Sequence, residues 1–386
     1  MAPFTRGLAH ARAVLVERFG LPSFRIAQLK VIGPLLAGRD VLAVLPTGAG
    51  KSLCYQVPAL LAAGLTVVVS PLVSLMQDQV TALRRRGLPA AYLNSTLSAD
   101  QRRGVTAAVR SGAVRLLYCA PERLVGLCRW LRATAVPVSL LAVDEAHCVT
   151  EWGNEFRPAY RRLGECRYIL GRPPTIALTG SATPATRREI VAVLRVPAPH
   201  VVVTSFDRPN LWFRVERMRD HRARFARLRE LIRPGDGASL IYTPTRRLAE
   251  LVTRALLRLG VRAAPYHAGL TVTVRRIVLR RFLSGESPII VATSAFGMGI
   301  DKPDVRRVIH WGPSRSLESY YQEAGRAGRD GARADCVLLW RPRDLAWGVA
   351  PAMRAYVERR RCRRRMLLEY FGERPGACMG CDVCGG

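Results

Sequence analysis

The sequence predicts an α/β protein in which two tandem parallel sheets, each covered by helices on both faces, precede a small helical, cysteine-bearing tail. Three observations predict it. Short apolar runs alternate with longer amphipathic segments, the pattern of strands buried on both faces and joined by helices. The alternation thins at residues 197–206 into a Pro-rich and β-branched connection and then starts again. From residue 343 the chain turns helical and Arg-rich and ends in a cysteine cluster. The expected divisions are therefore 1–205, 206–342 and 343–386.

In the first series the strand-like runs are 41–45, 66–69, 90–93, 116–119, 140–143 and 175–179, with helix-like stretches such as 52–63 and 72–86 between them. The second series has strands at 239–242, 263–266, 289–292 and 308–310, and helices at 246–259 and 275–282. The tail carries one helix-like segment, 354–370. At 386 residues the chain is long enough for two cores and an appendage. Its most apolar window, 58–75, is interrupted by Gly64, Thr66, Ser70 and Pro71, so it reads as a helix end and a buried strand and not as a membrane span. His10 and Arg12 break any apolar leader, so no export signal is expected. A cytoplasmic protein, nucleoid-associated in a bacterium, is the expectation, and its ten cysteines then read as reduced thiols and metal ligands.

Lys+Arg number 60 against 29 Asp+Glu, a formal charge of +31, and only Lys30, Lys51 and Lys302 are lysines. Such a balance points to a polyanionic partner, because neutralising phosphates releases counterions. A general arginine bias spread over the surface is the alternative.

Pro46-Thr47-Gly48-Ala49-Gly50-Lys51-Ser52 follows a predicted strand and opens a predicted helix, the context a phosphate-binding loop requires. Thr47, Gly48 and Gly50 let backbone N–H groups approach phosphate oxygens at a helix N-terminus, Lys51 would reach the β and γ phosphates of ATP, and Ser52 would hold Mg²⁺. The strict pattern asks for Gly where Leu45 stands. Asp144 and Glu145 follow the apolar strand Val138–Val143, so Asp144 can hold the same Mg²⁺ while Glu145 polarises the attacking water. In the second half, Gln322, Arg326 and Arg329 lie in a Gly-interrupted stretch. Arginines of this kind delivered to a γ phosphate are worth about 10³ to 10⁵ in turnover, although on spacing alone surface salt bridges are the favoured interpretation.

Cys378, Cys381 and Cys384, with Cys362 upstream, supply four thiolates, the number a closed tetrahedral Zn²⁺ site needs. An iron–sulfur cluster uses the same spacing and is the alternative. The other cysteines, 54, 119, 128, 148, 166 and 336, are scattered as small core residues are.

Together these motifs resemble the DExH-box helicases of superfamily 2, and more closely the RecQ family of DNA helicases, over most of the chain. The likeness also rests on Phe24-Arg25-x-x-Gln28, Ser70-Pro71-Leu72-x-Ser74-Leu75-Met76-x-Asp78-Gln79, Ala120-Pro121-Glu122-Arg123, Gly180-Ser181-Ala182-Thr183, Tyr266-His267-Ala268-Gly269-Leu270 and the segment 292–305. The resemblance implies two RecA-like domains and a zinc-binding domain. It implies that Gln28 reads the adenine edge, that Arg25 stacks on its face, and that Gly299 and Asp301 lie near the nucleotide. Ser181 and Thr183 would couple hydrolysis to domain movement. Ser70, Pro71 and Thr293 would lie along the strand's phosphates, and Trp152, Phe156 and Arg157 would form a sensor of single-stranded DNA. Taken without the family, Trp152 and Phe156 read first as core aromatics. The chain departs from the family at Glu151, Asn154 and Glu155, where relatives have Gln, His and Asp, and at Leu21, where relatives often have an aromatic.

The resemblance thus implies an ATP-dependent 3′ to 5′ helicase and translocase of DNA repair or recombination. Its partners would be single-stranded and tailed duplex DNA, with no membrane, and its cofactors ATP, Mg²⁺ and Zn²⁺. ATP engaging Arg326 and Arg329 would drive its steps. The sequence stops two residues after Cys384, so it reads as a short form without the family's winged helix, and unwinding is expected to be weak or to lean on the zinc domain. The alternative from another class is a DNA-binding or strand-annealing scaffold in which ATP acts as a conformational switch.

Overall fold

A computed structural model describes residues 7–385 except Thr47, 151–156, 233–236, 298–301, Trp347, Met379 and the side chain of Ser74. The chain divides into two compact units, Met1–Ser205 and Phe206–Gly386.

The first unit is built on a seven-stranded sheet formed by β1 (Val41–Val44), β2 (Leu65–Val69), β3 (Ala90–Leu93), β4 (Leu116–Cys119), β5 (Val138–Val143), β6 (Thr175–Thr179) and β7 (His200–Val203). The order is β3-β4-β2-β5-β6-β1-β7, and each pairing is parallel. Residues of β1, β2, β4 and β6 are buried throughout, which is why these strands read as continuous apolar runs and not as alternating ones. A parallel sheet puts all its strand C-termini on one edge, so the loops after β1, β2, β5 and β6 emerge side by side. Strand β7 lies within the segment that the sequence pattern assigns to a connection. It is the sheet edge, with Val201 and Val203 exposed, and a short half-solvated strand leaves little periodicity to detect.

The second unit holds a six-stranded parallel sheet of β8 (Leu211–Arg217), β9 (Ala238–Tyr242), β10 (Ala263–Tyr266), β11 (Ile289–Ala292), β12 (Val305–His310) and β13 (Ala334–Trp340). Their order is β10-β11-β9-β12-β13-β8. Strands β8 and β13 are absent from the sequence pattern. The first is an edge strand in which Arg214 and Glu216 interrupt the apolar residues; the second carries a legible apolar run, 336–340. Helices His221–Leu231 and Arg246–Arg258 share a core that includes Leu228, Val252, Leu256, Ile309 and Trp311, as same-handed crossovers on one face of the sheet require.

The tail departs from expectation. The segment 354–370 is two helices, Pro351–Glu358 and Arg363–Tyr370, broken so that Cys362 stands at the N-cap of the second. That break frees Cys362 from a helical turn and lets it face the other three cysteines. Among the described residues no helix is long and apolar enough to cross a membrane.

Candidate nucleotide site and cysteine cluster

The phosphate loop links β1 to helix Leu53–Leu61. Gly48 and Gly50 have φ of +83° and +73°, a region that a Cβ disfavours. Gly50 is doubly constrained, because a Cβ there would lie 2.5 Å from Gln28 Nε2. Lys51 Nζ donates to Leu45 O at 3.3 Å and Pro46 O at 3.5 Å, so the ammonium folds back over its own loop. Gln28 is buried and its amide donates to Ala49 O (3.2 Å) and Gly50 O (3.1 Å), while its Oε1 accepts from Arg25 N at 2.9 Å. Arg25 Nη1 donates to Gly48 O at 2.6 Å. Arg25 and Gln28, more than twenty residues upstream, thus hold three carbonyls of the loop. Ser52 sits at the start of the helix, and Thr47 lies outside the described residues.

Two strands away, β5 delivers Asp144 and Glu145 to the same sheet edge. Glu145 has a left-handed backbone, φ +46°, which turns the chain sharply after the strand, and its N–H donates to Asp144 Oδ1 at 3.0 Å. Burial and the neighbouring Glu145 charge push the Asp144 carboxyl up to about 7, against the pull of the Lys51 ammonium. Lys51 and Asp144 are therefore within electrostatic reach. Tyr160 is fully buried and donates its hydroxyl to Asp144 O at 3.0 Å, bracing the turn from below.

From this turn a polar route continues. His147 Nδ1 stands 3.5 Å from Glu145 Oε2 and 2.9 Å from Thr179 Oγ1. Thr179 Oγ1 in turn accepts from Ser181 N at 3.2 Å. The acid pair is thus joined to the Gly180-Ser181-Ala182-Thr183 loop, where Thr183 caps helix Pro184–Leu194. His147 and Thr179 are functional candidates that motif reading passed over; their signal was the position of His147 beside the acids.

Among the residues expected along a nucleic acid, Ser70 and Pro71 are buried after β2, and Ser70 Oγ has no partner among the described residues. Arg157 Nη1 donates to Glu122 Oε1 at 3.1 Å, tying Arg157 to the Ala120-Pro121-Glu122-Arg123 motif. Trp152 and Phe156, with Glu151, Asn154 and Glu155, lie outside the described residues.

In the second unit Thr293 follows β11, and its Oγ1 accepts from Ala295 N at 3.4 Å. Gly299 and Asp301 lie outside the described residues. Gln322 is in helix Leu317–Ala324, and the loop beyond it carries Arg326, which is buried, and Arg329. Two residues missed in the sequence build this loop. Arg208 donates to Gly325 O, Ala327 O and Gly328 O at 2.9–3.2 Å, and Asn210 Nδ2 donates to Gly328 O and Ala332 O. Gly328 has φ +53° and a Cβ there would lie 2.4 Å from Asn210 Nδ2. The Arg208-Pro209-Asn210 tripeptide was the available signal.

The thiols of Cys362, Cys378, Cys381 and Cys384 lie within 4.8 Å of one another. Cys362 Sγ accepts from Arg365 N (3.5 Å) and Cys381 Sγ from Cys384 N (3.4 Å). For Cys381, burial acts upward, yet donors from the backbone of Arg363, Cys384 and Val383 outweigh it and bring the thiol down to about 7. A cluster of thiols that already accept N–H bonds fits a tetrahedral thiolate metal site. The loop is anchored to β8: Asp382 N donates to Phe213 O at 3.0 Å, Val215 N donates to Asp382 Oδ2 at 3.1 Å, and Arg363 Nε donates to Asp382 Oδ1 at 2.9 Å. Gly380 is required here, since a Cβ would lie 2.3 Å from the Trp212 ring.

Residues 25–190 match the DEAD/DEAH box helicase model, 223–331 the helicase conserved C-terminal domain, and 347–385 the RecQ zinc-binding model. The ATP-dependent DNA helicase RecQ of Synechocystis sp. is 44% identical over 83% of this chain and 69% of its own length. That of Pasteurella multocida is 41% identical over 96% of this chain and 61% of its own length, so this chain spans about three fifths of that relative. A Mycobacterium smegmatis helicase Lhr, solved with ssDNA and AMP-PNP, superposes with a TM-score of 0.71 at 22% identity, over 97% of this chain and 52% of that one, and supports the fold. The order of the three matched regions and the identity across them show that the chain belongs to the RecQ family of helicases, with two RecA-like units and a C-terminal zinc-binding region.

Proposed function

We propose that this chain is an ATP-dependent 3′ to 5′ DNA helicase and translocase that couples hydrolysis to movement on single-stranded DNA in repair or recombination. The observation that carries it is the polar route from Glu145 through His147 and Thr179 to Ser181, a path by which the state of the phosphate site would be felt in a second loop. Its residues act as a unit. Gly48, Gly50 and the helix N-terminus cradle the phosphates, Lys51 neutralises the β and γ oxygens, and Glu145 orients the attacking water. Ser52 and Asp144 would hold Mg²⁺, which neutralises phosphate charge when bound. The raised Asp144 carboxyl supports this, because a buried acid beside a second acid is relieved by a cation.

Arg25 and Gln28 recognise adenine, and since both already hold the phosphate loop, base recognition is transmitted to it. Gln322, from helix Leu317–Ala324, and Arg326 and Arg329, on a loop made rigid by Arg208 and Asn210, stabilise the transferring phosphoryl group. Ser70, Pro71, Arg157 and Thr293, with Trp152 and Phe156, follow the strand; Gly299 and Asp301 complete the nucleotide side. Stacking of a base on Trp152 would contribute about 1–3 kcal/mol whatever the sequence. Cys362, Cys378, Cys381 and Cys384 would hold Zn²⁺, which would cross-link the tail.

The test is the ATPase rate with and without single-stranded DNA, together with unwinding of a 3′-tailed duplex. Stimulation and strand separation are expected. An intact duplex and an unstimulated rate would overturn the reading.

A further inference from the structure

The helical layer over one face of the second sheet has a gap. Between helices His221–Leu231 and Arg246–Arg258 lies a cleft of about 550 Å³ walled by Phe225, Leu248, Leu251, Val252 and Trp311. None of the residues assigned to nucleotide, nucleic acid or zinc lines it. Leu251 is 50% exposed, on a helix whose other exposed positions include Arg246, Arg247, Arg254 and Arg258. A surface helix that keeps a leucine facing an apolar hollow leaves hydrophobic area for something to cover.

The charge around the hollow is predominantly positive, with Asp220, Asp344, Glu230 and Glu250 as its acids. Arg247 is at its rim, and Arg222 and Arg229 are exposed on the facing helix. Of the acids on these two helices, Glu230 pairs with Arg227 at 2.8 Å and Glu250 lies 3.3 Å from His267 Nε2, and the arginines outnumber them. His221 at the mouth is held below its usual value by burial and then by Arg341 and Arg224, which outweigh the opposing pull of Asp344 and Asp220. Beside the floor, the buried donors Trp311 Nε1 and Arg224 Nε have no acceptor among the described residues.

A second copy of the chain would bring another +31 charges to this rim and be repelled. A nucleic acid offers phosphates to the arginines but nothing aliphatic to fill the hollow. We propose that this groove docks an acidic peptide segment of a partner protein, with one bulky apolar side chain seated against Val252 and Trp311 and flanking carboxylates on the arginine rim. Helix-lined apolar grooves bounded by charge recognise peptides in this way, the pocket supplying the anchor and the rim the orientation. The inference does not rest on the proposed helicase activity.

The experiment uses the full chain at about 0.15 M salt, where long-range attraction is screened beyond about 8 Å. Fluorescence anisotropy is measured for a labelled Asp/Glu-rich peptide with one central Phe and for the same peptide with Ala in its place. The Phe peptide is expected to bind about tenfold tighter, the scale of burying one large apolar side chain. Leu251→Glu and Arg247→Glu, both at exposed positions, are expected to abolish that difference while leaving the ATPase rate unchanged. Equal binding of the two peptides would reduce the effect to general polyanion attraction and overturn the proposal, as would variants that bind like the parent. Displacement of the Phe peptide by a single-stranded oligonucleotide that itself loses affinity in Leu251→Glu would make the groove a nucleic-acid surface, and would also overturn it.

Discussion

Lys51 shows how much of this site depends on single side chains. Its ammonium lies against Leu45 O and Pro46 O and close enough to lower Asp144, so it is the cation that a bound triphosphate would draw outward. Lys51→Ala is expected to reduce hydrolysis by about a thousandfold or more, in line with the loss of a charge clamp on a transferring phosphoryl group. DNA affinity, read by anisotropy with a labelled oligonucleotide, should stay close to that of the parent. Trp152→Ala should show the reverse: ATP binding retained and DNA stimulation of the ATPase lost. If the variant kept the full stimulated rate, the sensor role would fall. Gly50→Ala is expected to weaken ATP binding by about tenfold or more in equilibrium titration, because the methyl group displaces Gln28 and the positive φ is disfavoured.

At the scale of elements, the tail and the edge strand β8 stabilise each other. Arg364 is almost fully buried and donates to Asp207, to Arg208 O at 2.8 Å and to Leu211 O at 2.7 Å. Arg364→Ala leaves the Arg208 and Leu211 carbonyls without this donor, while the Asp207 carboxylate keeps some solvent, so it should destabilise the second unit by about 1–3 kcal/mol, measured by chemical denaturation. The cysteine loop closes the outer side of β8 through Asp382, and an uncovered strand edge invites pairing with other chains. Chelation of Zn²⁺ is therefore expected to raise hydrogen exchange at Val215 and Asp382 while central-strand amides of β9 stay protected. Unchanged exchange at Val215 would show that the loop holds its place without metal.

For the molecule as a whole, the dominant quantity is charge. A formal +31, carried almost entirely by arginine, predicts that affinity for single-stranded DNA falls steeply with salt, with a log–log slope of about −0.7 per phosphate neutralised. With roughly six phosphates engaged, affinity should drop by about a hundredfold or more between 50 and 200 mM salt. A flat dependence, measured by titration across that range, would mean that the arginine excess serves something other than phosphate binding. The peptide groove fits the same field, since a strongly basic surface selects acidic partners before any contact forms.

What the sequence by itself determined is the chemistry carried by contiguous residues. The buried strands β1, β2, β4 and β6 announce themselves as apolar runs, the phosphate loop and Asp144-Glu145 follow their strands directly, and the cysteine spacing states a metal site. Tertiary structure alone decided which loops meet. That Gln28 reaches Ala49 and Gly50, that His147 reaches Thr179, that Arg208 and Asn210 shape the Arg326 loop, and that Asp382 seals β8 all follow from which strands become neighbours. Local periodicity reports only which face of an element is buried. It does not encode strand order, and edge strands such as β7 and β8, with fewer buried residues, report even that weakly.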